Sequence, residues 1–190
     1  MKIKQHAALI LTAALGTAAA TAAPLAAQAL GGPDEQDKRI VEVTTADGAQ
    51  VGTIEFEQMR HGLVVRARLT GLTEGGHGVH LHQTGSCSPD FKAAGGHIDP
   101  LDAGHGFDGN GGYHVGDLPN IFAGADGVAK ADFFVPQMTL RDKTSESFPF
   151  TLNDADGSAI IIHADEDNYI DMDSAGGREA CGVIFPAGDQ

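Results

Sequence analysis

Short segments in which apolar and polar residues alternate recur along the chain after residue 38. They are rich in Val and Ile and are separated by Gly, Asp and Asn, which is typical of half-buried β-strands joined by turns. The alternation predicts eight strands, over residues 39–45, 51–56, 63–69, 78–83, 128–135, 148–152, 159–163 and 181–185. Helical periodicity is almost absent, so we expect an all-β fold, an antiparallel sandwich or barrel.

Two stretches interrupt this pattern. Residues 84–121 are rich in Gly, Asp, Asn and His, and residues 164–179 follow the apolar segment 159–163. Loops of this length in a compact domain are usually functional or disordered. The two long loops are therefore the first places to look for chemistry.

The N-terminal pattern is different. Two lysines precede an uncharged, alanine-rich run over residues 7–33, which contains the small-x-small sequence Ala27-Gln28-Ala29. A basic start, an apolar middle and such a cleavage site predict a secretory signal peptide over residues 1–29. An uncleaved membrane anchor is the alternative, because the run is long enough to span a bilayer.

Cleavage would leave a flexible leader, residues 30–38, and one domain, residues 39–190, in the periplasm or otherwise exported and free of the membrane. The whole chain has a formal net charge of −14, and loss of the signal segment, with its two lysines and no acid, changes this to −16. The sequence has no clustered Lys and Arg. This excludes nucleic acid as a partner, since phosphate neutralisation requires such clusters.

The chain has two cysteines, Cys87 and Cys181. In an oxidising compartment an even number of cysteines predicts a disulfide. Two buried free thiols are the alternative.

Three histidines are associated with predicted strands. His80 and His82 are two positions apart in the segment 78–83 and therefore project from the same face, and His163 ends the segment 159–163. The first two alone could be a solvated polar face. With His163 they indicate a nitrogen-rich copper site, whose fourth nitrogen would come from a loop histidine used twice.

The first long loop carries three more histidines and an aspartate. They are His97, His105, His114 and Asp117. Three imidazoles and one carboxylate suit a tetrahedral zinc ion, and a glycine-rich loop can fold back to bring them together. Unrelated histidines in a solvated loop are the alternative.

Several motifs together resemble the copper/zinc superoxide dismutase family, in its exported bacterial form. They are Gly-Val-His-Leu-His (78–82), Gly-Gly-His (95–97), His-Val-Gly-Asp-Leu-Pro-Asn (114–120) and Gly-Arg-Glu-Ala-Cys-Gly-Val-Ile (177–184). The similarity spans about residues 39–187. It implies a Greek-key, eight-stranded β-barrel or immunoglobulin-like sandwich with two long functional loops.

The resemblance also implies a role for each site residue. Copper would be bound by His80, His82, His97 and His163, and zinc by His97, His105, His114 and Asp117. His97 would bridge the metals, Arg178 would lie beside copper, and Asp167 would join His80 to His105. The family disulfide falls on Cys87 and Cys181, and His77 matches a histidine that is not a ligand.

The implied activity is dismutation of superoxide to dioxygen and hydrogen peroxide, by copper that cycles between Cu(II) and Cu(I). A metal carrier on the same barrel and a zinc hydrolase are the alternatives, although a carrier needs no arginine and a hydrolase keeps an open zinc position. For Arg178 the alternative is a surface salt bridge with Glu179 or another loop acid. The second loop lacks the lysine that eukaryotic relatives use to guide the substrate. The oligomeric state stays open between monomer and homodimer.

Overall fold

The computed structural model describes residues 37–188, so the predicted signal peptide and most of the predicted leader lie outside the described residues. The strands are β1 (Lys38–Thr45), β2 (Gln50–Met59), β3 (Gly62–Leu69), β4 (Gly75–His82), β5 (Asp117–Ala123), β6 (Ala129–Pro136), β7 (Met138–Thr139), β8 (Phe150–Thr151), β9 (Ser158–His163) and β10 (Arg178–Phe185). A short 3₁₀ helix covers Phe91–Ala94. Within this range no helix is long and apolar enough to cross a membrane.

Eight strands form one antiparallel sheet in the order β5-β4-β9-β10-β1-β2-β3-β6. The end strands β5 and β6 contact each other, so the sheet curls into a nearly closed barrel. Strands β3 and β4 are consecutive in the chain but not neighbours in the sheet, as Greek-key connections require. The predicted all-β barrel with two long loops is confirmed.

The number of barrel strands matches the prediction, but one member differs. Most of β5 lies in the stretch predicted to be loop, and it contains Pro119 and Asn120, residue types that are rare in strands. Because β5 ends the sheet and Pro119 is exposed, the missing N–H of Pro119 can be accommodated there. Segment 148–152, predicted as a barrel strand, contributes only β8, which pairs in parallel with β7 in a separate two-stranded sheet.

The core fills the barrel with side chains from alternate strand positions. Fully buried members include Val43, Phe56, Leu81, Ile160 and Ile184. β9 is buried on both faces, since the first long loop covers its outer side. Its sequence therefore shows no alternation of apolar and polar residues. That covered outer side is where the histidines lie.

Candidate metal centre

The barrel wall brings three histidines to one place. Alternation along β4 sends Val79 and Leu81 into the core and His80 and His82 to the opposite face. β9 pairs antiparallel with β4 and ends in His163. All three imidazoles are buried.

His97, from the first long loop, completes a group of four imidazoles. One nitrogen from each of His80, His82, His97 and His163 lies within 4.8 Å of the others. His97 stacks on His80, with ring centroids 4.0 Å apart. The family resemblance implies these four residues as one set, and the structure brings them together.

Three nitrogens of this group are buried without a hydrogen-bond partner in the described chain: His80 Nδ1, His82 Nε2 and His163 Nε2. The second nitrogen of His82, Nδ1, is 3.0 Å from the carbonyl oxygen of Gly95, and that of His163 is 3.3 Å from the carbonyl oxygen of Gly176. Buried polar atoms without partners are rare in proteins. Converging, unpartnered imidazole nitrogens are what a metal ion requires.

A second cluster has the dimensions of a tetrahedral site. His97 Nδ1 is 2.9 Å from Asp117 Oδ1 and 3.2 Å from His114 Nδ1, which is itself 3.2 Å from Asp117 Oδ1. His105 Nδ1, buried and without a hydrogen bond, is 3.4 Å from Asp117 Oδ2. Ligands at about 2.0–2.1 Å from a tetrahedral ion lie about 3.3 Å apart, so His97 Nδ1, His114 Nδ1 and Asp117 Oδ1 have the mutual spacing of zinc ligands.

Main-chain groups orient the carboxylate of Asp117. Its Oδ2 accepts hydrogen bonds from the N–H of Gly106 at 2.9 Å and from the N–H of His114 at 3.1 Å. Oδ1 is left facing the imidazoles. The loop therefore aims one oxygen of this carboxylate into the cluster.

Asp167 connects the two clusters from the second long loop. One carboxylate oxygen, Oδ2, is 2.8 Å from His80 Nε2 and 3.0 Å from His105 Nε2. Each imidazole thus turns its other nitrogen, Nδ1, toward the space between the ligands. A carboxylate behind a ligating histidine fixes the tautomer and the ring orientation.

The environment holds the ligand groups in the states that metals need. Burial lowers the pKa of His82 to about 2, of His163 to about 3 and of His97 to about 4, so all three are neutral at physiological pH. Burial would raise the pKa of Asp117 and Asp167, but hydrogen bonds from neighbouring groups outweigh it and hold both carboxylates ionised. Neutral imidazoles and a carboxylate are the forms that bind metal.

Known proteins match this chain across the same region. The family model described as copper/zinc superoxide dismutase matches residues 50–184. The chain belongs to the copper/zinc superoxide dismutase family. Its activity is the dismutation of superoxide, and its cofactors are copper and zinc.

Relatives and solved structures agree with the family. Cu-Zn superoxide dismutases of Caulobacter vibrioides and Photobacterium leiognathi are each 40% identical, over 146 and 162 residues. The alignments cover 75% and 78% of this chain, and 82% and 87% of those relatives. The structure is similar to a superoxide dismutase-like protein from Bacillus subtilis, with a TM-score of 0.70, 37% identity and coverage of 77% of this chain and 97% of that one. Cu/Zn superoxide dismutase from Brucella abortus gives a TM-score of 0.60 at 30% identity, with coverage of 77% and 99%.

Arg178 of the enzyme is held by main-chain carbonyl groups. Its Nη1 donates to the carbonyl oxygen of Phe91, and its Nη2 donates to that of Gly95 at 2.6 Å. No salt bridge with Glu179 is found in the described chain, since Glu179 instead accepts from Thr73 and contacts His77. In the described chain the guanidinium of Arg178 is therefore bonded to main-chain carbonyl groups and not to Glu179.

Gly95 links this arginine to the imidazole group. Its carbonyl oxygen faces both Arg178 Nη2 and His82 Nδ1. Gly95 has φ of 75°, and a Cβ there would lie 2.9 Å from the side chain of Gln83. The left-handed backbone conformation at this position favours glycine.

The disulfide of the enzyme joins Cys87 to Cys181, 94 residues apart. Cys181 is buried and packs with Ala94 and Ile161. The bond ties the first long loop to β10. The disulfide prediction is confirmed, and the alternative of two free thiols is wrong.

Some supporting residues were not found by sequence reasoning. The side chain or main chain of Asp167 is hydrogen-bonded by Asn120, Tyr169 and Ser174. The carbonyl group of Gly95 orients Arg178. Asn120 and Tyr169 lie within three residues of predicted site residues, which is a weak signal. A main-chain acceptor has no signal in the sequence at all.

Proposed function

We propose that the two metals of the enzyme share one histidine. Copper would be held by His80, His82, His97 and His163. Zinc would be held by His97, His105, His114 and Asp117. The convergence of buried, unpartnered imidazole nitrogens carries this assignment. Four nitrogen donors suit copper, and three imidazoles with a carboxylate suit zinc.

His97, and not His80, is the shared ligand in this proposal. Both imidazoles lie near both clusters, but His80 Nε2 is 2.8 Å from Asp167, which leaves His80 one nitrogen for a metal. The Nδ1 atom of His97 faces Asp117 and His114. Its Nε2 atom is then free for the copper group.

The reaction consumes two superoxide anions and two protons and releases dioxygen and hydrogen peroxide. Copper, when bound, supplies the one-electron redox couple that this reaction needs, which zinc lacks. We assign one proton to Nε2 of His97, which would take it up from solvent only while this nitrogen is not bound to copper, and would donate it toward the peroxide. A positioned imidazole is the side chain that most often transfers a proton in this way. The second proton comes from solvent.

Arg178 binds the superoxide anion in this proposal. Two of its N–H groups are engaged by the carbonyl oxygens of Phe91 and Gly95, and the guanidinium has five in total. Burial lowers the pKa of Arg178, but from a value so high that the cation persists. A rigid cation with spare donors suits a small anion.

The enzyme works outside the cytoplasm in this proposal. The Cys87–Cys181 disulfide supports export, because such bonds persist in oxidising compartments such as the periplasm. Superoxide is the substrate, with no nucleic-acid partner and no membrane attachment once the signal peptide is cleaved. Sedimentation of the metal-loaded mature chain distinguishes monomer from homodimer.

Metal content tests the residue assignment. We expect one copper and one zinc per chain, selective loss of copper in His163→Ala, and selective loss of zinc in His114→Ala. His61→Ala, at an exposed turn, is the matched control and should retain both metals. Elemental analysis after loading with both metals gives the result; loss of the same metal from both ligand variants would contradict the assignment.

A further inference from the structure

Tyr169, in the second long loop, contacts three separate parts of the structure. Its hydroxyl oxygen accepts a hydrogen bond from the main-chain N–H of Asn120 in β5 at 2.8 Å. Its own N–H donates to Asp167 Oδ1 at 2.7 Å, and its carbonyl oxygen accepts from the N–H of Asp108 at 3.0 Å. Its ring packs against Phe107, with centroids 5.3 Å apart. One residue therefore joins the second loop to β5 and to the first loop.

The hydroxyl group of Tyr169 satisfies a donor that the sheet leaves unpaired. β4 and β5 pair at His77 with Ile121 and at Val79 with Leu118, and the register shifts between these pairs. The N–H of Asn120 lies at this irregularity and donates to the tyrosine. Since Asn120 is buried, loss of the tyrosine hydroxyl would leave the N–H of Asn120 without an acceptor.

Asn120 in turn holds the main chain of Asp167. Its Nδ2 donates to the carbonyl oxygen of Asp167 at 2.8 Å, and the N–H of Asp167 donates to its Oδ1 at 3.0 Å. Tyr169 and Asn120 thus fix the Asp167 carboxylate from both sides, through its side chain and its backbone. That carboxylate is the group that faces His80 and His105.

The backbone of Tyr169 is also packed tightly. Tyr169 has φ of 62°, in the left-handed region that bulky residues rarely adopt. A Cβ on Gly106 would lie 2.1 Å from its carbonyl group, so only glycine allows this approach. The N–H of Gly106 donates to Asp117 Oδ2. Such a conformation persists where the surroundings fix it, and such positions cluster at functional sites.

We infer that Tyr169 is a positioning residue for the zinc site. Its hydroxyl group fixes the second loop to β5 and so holds Asp167 against His80 and His105. The inference rests on the proposed assignment of the zinc ligands. Tyr169 itself is not one of the proposed metal ligands. Its effect passes through Asp167, and its loss should weaken zinc binding more than it weakens the barrel.

Tyr169→Phe in the metal-loaded enzyme tests this, because it removes only the hydroxyl group. The chain has one other tyrosine, Tyr113, whose ring also packs on Phe107 but whose side chain is exposed. Tyr113→Phe is therefore a matched control. We expect about tenfold weaker zinc retention against a chelator in Tyr169→Phe, the low end of effects typical of groups behind metal ligands, and no change in the control.

A double variant tests the route of the effect. In Asp167→Ala, which should itself weaken zinc retention, adding Tyr169→Phe should produce little further loss, because the carboxylate to be positioned is gone. Co²⁺ loaded in place of zinc gives a second readout, since its visible spectrum reports ligand geometry and should change in Tyr169→Phe and not in Tyr113→Phe.

Zinc retention in Tyr169→Phe equal to that of the parent, or a full tenfold further loss in the double variant, would overturn the inference. If Asp167→Ala itself retains zinc like the parent, the failure lies in the assigned role of Asp167, and the inference about Tyr169 falls with it.

Discussion

Acidification should destabilise the metal-free enzyme far more than its carboxylates alone would. Burial lowers the pKa of His82 to about 2, of His163 to about 3 and of His97 to about 4. In the unfolded chain each imidazole has a pKa of about 6.5. As the pH falls below that value, the unfolded state binds protons that the folded state does not, so folding stability declines.

The size of the effect follows from the number of groups. A proton taken up only by the unfolded state costs about 1.4 kcal/mol per pH unit. Between about pH 7 and pH 5.5 each imidazole lowers the free energy of unfolding by roughly 1.3 kcal/mol, and the three together lower it by roughly 4 kcal/mol. Because the free energy of unfolding of a protein is typically about 5–15 kcal/mol, this loss is a large fraction of it. Below about pH 4, Asp117 and Asp167 add to the loss, because their pKa values are lowered in the folded state.

Urea unfolding of chelator-treated protein at several pH values measures this slope. His82→Gln removes one of the three groups, so the pH-dependent loss should shrink by about a third. His61→Gln, at the exposed turn, is the control and leaves the buried imidazoles in place. With metals bound, the dependence should be flat until protons displace the metals. A metal-free enzyme whose stability stays constant or rises from pH 7 to 5.5 would refute the reasoning.

Two further predictions concern the disulfide and the approach of substrate. Cys87→Ser with Cys181→Ser should lower the free energy of unfolding by at most about 4–5 kcal/mol, since the bond closes a loop of 94 residues, and urea unfolding measures it. Arg178→Ala should reduce the dismutation rate constant far more than Lys92→Ala, whose exposed charge should change it by no more than about twofold. Pulse radiolysis across an ionic-strength series should also give a rate constant that falls shallowly with salt; a rise would mean that the acidic loop governs approach.

The alternation of residues predicts most of the barrel because each strand has one face in the core. It fails where the residue types or the pairing of a strand are irregular. β5 carries Pro119 and Asn120 and has a shifted register against β4, so its pattern resembles a loop. Segment 148–152 has suitable residue types, but only Phe150–Thr151 pairs, and outside the barrel. Tertiary pairing, and not local pattern, decides both cases.

The candidate metal-ligating residues follow from spacing and from the family resemblance, because a metal needs a defined number of donors of defined chemistry. The orientation of each donor does not. Which nitrogen of His80 or His105 faces the centre depends on Asp167, 62 residues or more away in the chain. The position of Arg178 depends on the carbonyl groups of Phe91 and Gly95, which any sequence would provide.

Those carbonyl groups also bear on the proposal that Arg178 attracts an anion to an acidic protein. The chain has a net charge of −14, and Asp165, Glu166, Asp171 and Asp173 are exposed in the second loop. The guanidinium of Arg178, however, is fixed by neutral acceptors, so its charge is not cancelled by contact. Exposed acids are screened beyond about 10 Å at 0.1 M salt, whereas a cation in contact with substrate is not. Because the arginine is anchored to backbone groups and not to carboxylates, its positive charge remains available locally, although the exposed acids repel an anion at longer range.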